Sequence, residues 1–218
     1  MSPTNAELQA AVEHELLYDP RVDEGAIAVR ANDGVVSLKG TVGSLREKFE
    51  AEKAAKRVHG VKRVDDLLDV KILDAYSRDD ADLRGAVLQA FALNSAIPRS
   101  VDATAVNGVV TLTGAVAYQF EREEAESVAS KVSGVASVEN DIRVIPAGSP
   151  SNDLHAAIKK ALERNADLDA ANLTVKSSQG TVTLSGVVDS WANHDAAVAA
   201  AWAAPGVHNV EDEIIVDY

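Results

Sequence analysis

The chain has 218 residues, no cysteine, and a net charge of −13 from 21 basic and 34 acidic side chains. Disulfides and thiol chemistry are excluded. The acidic balance opposes nucleic acid and simple adsorption to anionic lipid, and no run approaches the ~20 apolar residues of a membrane-spanning helix.

In chain order, Leu8, Val12 and Leu16 follow i, i+4, i+8 spacing and predict a short amphipathic helix. Thr4 and Glu7 form a capping-box pattern at its start, and Pro20 stops it. Ile27, Val29 and Ala31 alternate with polar residues, as do Val36 and Leu38 after Asp33-Gly34. These are two strands joined by a hairpin turn that needs positive φ. A second helix is expected over 44–58, with Gly60 as its left-handed C-cap, then a third strand from Val61 to Val70.

The same order returns twice. Gly-Val-Val-Ser-Leu-Lys-Gly at 34–40 reappears as Gly-Val-Val-Thr-Leu-Thr-Gly at 108–114 and Gly-Thr-Val-Thr-Leu-Ser-Gly at 180–186. Leu83, Val87 and Phe91, then Leu154, Ile158 and Leu162, repeat the first helix, with Ser151 or Asn152 as cap of the third copy. Val101, Ala103 and Ala105 with Val110 and Leu112 repeat the hairpin around Asn107-Gly108. Leu173, Val175 and Ser177 with Val182 and Leu184 repeat it around Gln179-Gly180, where Gln179 is a weaker turn residue. Second helices are expected over 118–132 and 190–204, and third strands over Val135–Val144 and Val207–Val216.

Nine of the 13 glycines hold the three repeated positions: Gly34, Gly40, Gly60, Gly108, Gly114, Gly134, Gly180, Gly186 and Gly206. They read as structural turns and caps rather than a phosphate cradle, since no copy has the strand–GxGxxG–helix context. The predicted fold is α+β: three tandem αββαβ units, each a small three-stranded sheet with two helices on one face. The units are placed at 1–73, 74–149 and 150–218, with linkers about 71–81 and 145–152. Strand order within a unit stays open, because the last strand can pair with either neighbour.

With the closing Gly-Val-x-x-Val-x-Asp/Asn at 60–66, 134–140 and 206–212 added to this frame, the chain resembles the BON family of bacterial proteins. The resemblance spans about 5–71, 80–145 and 152–217. It implies αββαβ domains without enzymatic chemistry or cofactor, associated with osmotic and envelope stress, phospholipid attachment, and chaperone-like or scaffolding roles. The matched residues, including Asp66, Asn140 and Asp212, are structural in that motif. Many family members begin with a signal peptide or lipoprotein anchor. The start Met-Ser-Pro-Thr-Asn-Ala-Glu has neither a basic nor an apolar leader region, so the expected location is cytoplasmic as given, and periplasmic if a leader has been removed.

Charge is unevenly spread. Residues 1–73 carry 11 basic and 13 acidic side chains, 74–149 carry 6 and 11, and 150–218 carry 4 and 10. The first unit has a basic cluster: Lys53, Lys56, Arg57, Lys62, Arg63 and Lys71. Lys53, Lys56, Arg57, Lys62 and Arg63 are the candidates for contact with lipid phosphates or an acidic partner, against the plainer reading of a solvated face paired with Glu50 and Glu52. The second helix of the third unit differs from its counterparts. Where they carry Glu52 and Lys56, or Glu126 and Ser130, it carries Val198 and Trp202. A helix apolar all round is normally covered all round, so Val198 and Trp202 are candidates for a domain or oligomer interface, against exposed but helix-favouring alanine. Trp191 aligns with Leu45 and Gln119 as a core or boundary residue.

The histidines (14, 59, 155, 194, 208) occupy non-equivalent positions and read as surface residues; no metal ligand set is predicted. Asp65-Asp66, Glu139-Asn140-Asp141 and Glu211-Asp212-Glu213 recur in register. They could hold a hard cation, or satisfy nearby backbone groups. The sequence therefore points to a non-enzymatic, stress-associated interaction module. Its expected target is a phospholipid surface or an envelope-related partner, bound through several weak sites. The alternative is a soluble self-associating scaffold or chaperone-like protein, possible partners being a second copy or a client protein, with a response to cations. Nucleic acid is not expected.

Overall fold

A computed structural model describes residues 3–73, 77–146, 154–163 and 172–218. The expected caps Ser151 and Asn152 and the interdomain residues 147–153 lie outside the described residues. Helix α1 (Asn5–Leu17) buries Leu8, Val12 and Leu16, and the Thr4–Glu7 capping box is formed at its start. Strands β1 (Ile27–Asn32) and β2 (Val35–Val42), helix α2 (Leu45–Arg57) and strand β3 (Arg63–Val70) complete the first unit. The second unit is α3 (Asp80–Ala92), β4 (Asp102–Val106), β5 (Val109–Val116), α4 (Gln119–Ser130) and β6 (Ser137–Val144). The third is α5 (Leu154–Glu163), β7 (Leu173–Ser178), β8 (Thr181–Val188), α6 (Trp191–Trp202) and β9 (Asn209–Val216). Contacts group the first two units, Met1–Val116 with Phe120–Arg143, into one compact body.

The topology settles the strand order. In each sheet the second strand is central: β1-β2-β3, β4-β5-β6 and β7-β8-β9. β1 runs antiparallel to β2, and β3 runs parallel to it with Val36 opposite Val64 and Leu38 opposite Asp66. The parallel step requires a crossover, which α2 supplies. Both helices of a unit pack on the sheet face that carries Val29, Val36, Leu38 and Leu68, and these residues form one core with Leu8, Val12, Leu16, Ala51, Ala54 and Ala55. The third unit repeats this with Ile158, Leu162, Val182, Leu184, Ala197 and Ala201.

All three hairpins close through two positive-φ residues, at φ 49° and 85° for Asp33-Gly34, 51° and 79° for Asn107-Gly108, and 49° and 87° for Gln179-Gly180. Gln179 therefore takes the left-handed conformation despite its side chain. The sheet on either side, with Ser178 opposite Thr181, holds it there.

Two of the glycine roles differ from expectation. Gly60 lies beyond the end of α2, whose cap is Val58. It takes positive φ inside a four-residue turn closed by the Val61 N–H donating to the Val58 carbonyl at 3.2 Å, and Val135 to Val132 and Val207 to Ala204 repeat it. Gly40, Gly114 and Gly186 are neither turns nor caps. They sit inside the central strands, where a Cβ would run into the carbonyl oxygens of Ala26, Ser100 and Asn172. The chain entering the first strand crosses so close to the central strand that only hydrogen fits.

Candidate interaction surfaces

Each unit locks its second helix to its last strand at one repeated position. Asp66, Asn140 and Asp212 lie opposite Lys48, Arg122 and His194. Their Oδ1 atoms accept the N–H two residues on, from Leu68 at 3.0 Å, Ile142 at 3.3 Å and Ile214 at 3.1 Å. This is the backbone-satisfying role, and among the described residues no group of three or more His, Asp or Glu side chains could hold a metal ion. In the first unit Lys48 Nζ lies 3.4 Å from Asp66 Oδ2 and donates to the Leu68 carbonyl at 2.6 Å. In the second, Arg122 donates to the Asn140 carbonyl at 3.1 Å, and Asn140 donates to the Arg122 carbonyl and to Glu126. In the third, His194 Nε2 is 2.8 Å from Asp212 Oδ2. Sequence reading placed His194 on the surface; its side chain is only 14% exposed. The signal that could have found it was the cation at the same position of the other two units.

The basic cluster of the first unit is largely neutralised. Lys56 pairs with Glu52 at 2.8 Å, one turn away. Arg63 pairs with Asp65 at 2.9 Å. The aliphatic stem of Lys62 lies over Gly34, and its N–H donates to the Gly34 carbonyl at 2.8 Å. Arg57 reaches across to α1, with Nε 2.8 Å from Glu15 and a terminal nitrogen 3.0 Å from Asp19. Asp19 is the centre of this network. Its side chain is 3% exposed, and Arg21 grips both carboxylate oxygens while reaching Glu50 at 2.8 Å. The hydrogen bonds from Arg21, then from Arg57, hold the Asp19 carboxyl far below the usual carboxylate range against the opposing effect of burial. Asn94 replaces Asp19 in the second unit, accepting the Ala96 N–H and donating to Glu124 at 2.6 Å.

Lys53 stands apart from these pairs. It lines a cleft of about 210 Å³ with Arg46, Glu50 and Phe49 from α2, Glu126 from α4 and Lys131 just after it. Glu50 is engaged by Arg21, and Glu126 accepts from Asn140. Among the described residues neither Arg46 nor Lys53 has an ion-pair partner.

On α6, Val198 and Trp202 are half-buried and pack against the third unit's own core, together with Trp191 and the C-terminal Tyr218. Burial pushes the Tyr218 phenol up. The apolar surface that the sequence assigned to an outside partner is thus met in part from within. Among the described residues of this unit, the large apolar side chains that are exposed lie on the opposite, helix-free face of the sheet: Val187 and Ile215, 46% and 62% exposed, are direct cross-strand partners.

The geometry defines a protein of tandem αββαβ units. The BON domain family matches residues 4–72, 79–146 and 150–218, and the chain belongs to it. The osmotically-inducible protein Y of Escherichia coli strain K12 is 33% identical over 141 residues, which are 62% of this chain and 70% of that protein. Among solved structures, CdsD, a structural protein of the Chlamydia trachomatis type III secretion system, aligns over 95% of this chain and 91% of its own at 16% identity and a TM-score of 0.27. The PrgH periplasmic domain aligns over 88% and 95% at 10% identity and a TM-score of 0.24. Superpositions this loose carry nothing about partners.

Proposed function

We propose that the protein is a non-enzymatic component of the osmotic-stress response that docks on anionic phospholipid surfaces through several weak contacts. The observation that carries this reading is the relationship to osmotically-inducible protein Y, which extends over 62% of the chain. Within the first unit, where Lys56, Arg57 and Arg63 are engaged in ion pairs, the contact surface is assigned to Lys53 and its neighbour Arg46, which share one cleft and have no carboxylate partner among the described residues. One or two lysines near a membrane contribute about 1 kcal/mol each, so single contacts are weak and several on one chain are needed.

Liposome flotation of the full chain with neutral and anionic vesicles at low and moderate salt tests this. Flotation with anionic vesicles that falls with salt, and falls further in Lys53→Glu/Arg46→Glu, is the expected result. No flotation under any condition overturns it. A self-associating scaffold is the second reading. The exposed Val187–Ile215 pair favours it, and salt-insensitive oligomers lost in Ile215→Lys would support it.

A further inference from the structure

The three last strands share a register and differ in how their outer edges are closed. Lys71 donates its N–H to the Val42 carbonyl at 2.9 Å, and Asp217 to the Val188 carbonyl at 2.8 Å. Backbone groups alternate along a ladder, so those of Leu68 in β3 and of Asp212 and Ile214 in β9 point away from the central strand. The repeat gives Asn140 and Ile142 of β6 the same direction. In all three units the side chain of Asp66, Asn140 or Asp212 takes the outward N–H two residues on. The outward carbonyls are treated differently. Lys48 donates to that of Leu68 at 2.6 Å, and Arg122 to that of Asn140 at 3.1 Å. His194 stands at the same helix position, but its two ring nitrogens face Asp212 and Asp195. Among the described residues no donor reaches the carbonyls of Asp212 and Ile214, and the Asp212 N–H has no acceptor.

The third edge is also the more open. Leu68 and Ile142 are 2% and 3% exposed, whereas Ile214 is half-buried, and the Asp212 side chain is 35% exposed against 18% for Asp66. An unplugged edge of this kind is a template for one more strand. The side chains beside it set the occupant. Glu211, Glu213 and Ile215 are exposed on the helix-free face of the sheet. Opposite charges across a strand pair stabilise it and like charges destabilise it. A second copy of β9 would bring the same acidic run, on a chain of the same −13 charge. A basic strand meets Glu211 and Glu213 with complementary charge, and a lysine stem can lie over Ile215. Apolar residues on its other face would lie beside the half-buried Val210 and Ile214.

We propose that the outer edge of β9 binds an extended peptide that alternates basic and apolar residues, adding a fourth strand to the third unit's sheet. The peptide N–H groups donate to the Asp212 and Ile214 carbonyls, and one of its carbonyls accepts the Asp212 N–H. The Ile214 N–H keeps its bond to the Asp212 side chain. The equivalent edges of the first two units hold a side-chain cation where the peptide would bond, so the site belongs to the third unit. The inference does not depend on the lipid-docking reading.

The test is titration of the full chain with a short, end-blocked peptide of alternating lysine and valine, read by peptide fluorescence anisotropy and by amide exchange in NMR. At a peptide concentration about ten times Kd, exchange of the Asp212 amide should slow about ten-fold, with that of Asp66 in the first unit unchanged. The same peptide with every backbone nitrogen methylated keeps its charge but cannot donate to β9, and should bind at least about ten-fold more weakly. Glu213→Lys changes an exposed side chain and leaves the fold intact. It should weaken the lysine peptide about five-fold and admit a peptide of alternating glutamate and valine. No binding up to about 1 mM, equal affinity for the methylated peptide, or equal protection of Asp66 and Asp212 overturns the docking edge. Slowing of Asp212 exchange that follows protein concentration without peptide assigns the edge to a second copy and overturns it as well.

Discussion

The first and third units share one backbone frame and fill it with opposite chemistry. Position for position, α2 carries Glu50, Glu52 and Lys56 where α6 carries Ala196, Val198 and Trp202. In the first unit this face joins α1 through charge: Glu50, Arg21, Asp19, Arg57 and Glu15 form one connected network at the ends of the two helices. In the third, the same face adds apolar cover to the core, with Val198 and Trp202 half-buried against it. The difference teaches that the repeat specifies the inward stripe and the turns, while the outer half of the second helix is free to hold its unit by ion pairs or by packing.

Four tests, made with five substitutions, would break or sharpen this comparison. The largest effect belongs to the shared frame. Gly186→Val places a side chain against the Asn172 carbonyl at a φ of 138°, and should unfold the third unit or cost more than about 3 kcal/mol by denaturant titration. Next is the pair of equivalent positions. Trp202→Ala should cost about 2–3 kcal/mol, whereas Lys56→Ala should stay within about 0.5 kcal/mol because its ion pair is partly exposed. Equal costs at the two positions would sink the contrast between packing and charge.

Third, Asp19→Asn copies the second unit's Asn94 and should cost about 2 kcal/mol near neutral pH, since it leaves Arg21 and Arg57 without their buried partner. The folded-state pKa of Asp19 is depressed, so its contribution is present above the unfolded carboxylate value of about 4 and is lost as pH falls below it. The cost of Asp19→Asn should therefore shrink between pH 6 and pH 3, read by hydrogen exchange over 8–19 with 83–94 as the internal control. The smallest effect is a gain. Gln179→Asn keeps the positive φ with a residue that tolerates it, and should stabilise the third unit by about 0.5 kcal/mol in thermal unfolding.

Much of the fold was legible because its signals are local and repeated three times. Leu8, Val12 and Leu16 announce a helix by spacing, Val36 and Leu38 a strand by alternation, and Asp33-Gly34 a primed turn. The candidate surfaces were less legible. Arg57 and Glu15 are 42 residues apart, so their pairing could not be read before the two helices were placed side by side. In the basic cluster the local pair of Lys56 with Glu52 was within reach of the sequence, whereas the reach of Arg57 to Glu15 and Asp19 was not. His194 was missed because five histidines were compared with one another, when the informative comparison was with Lys48 and Arg122.

The sequence by itself determined the repeat, the element types, the inward stripes and the need for glycine at the hairpin turns, since each follows from periodicity or backbone sterics within a few residues. Only the tertiary structure decided that the second strand is central and that Gly40 is there for the Ala26 carbonyl. It alone showed that Asp19 gathers two arginines and that His194 lies between two carboxylates. Those facts depend on which distant segments meet, and close packing and charge pairing act through space rather than along the chain.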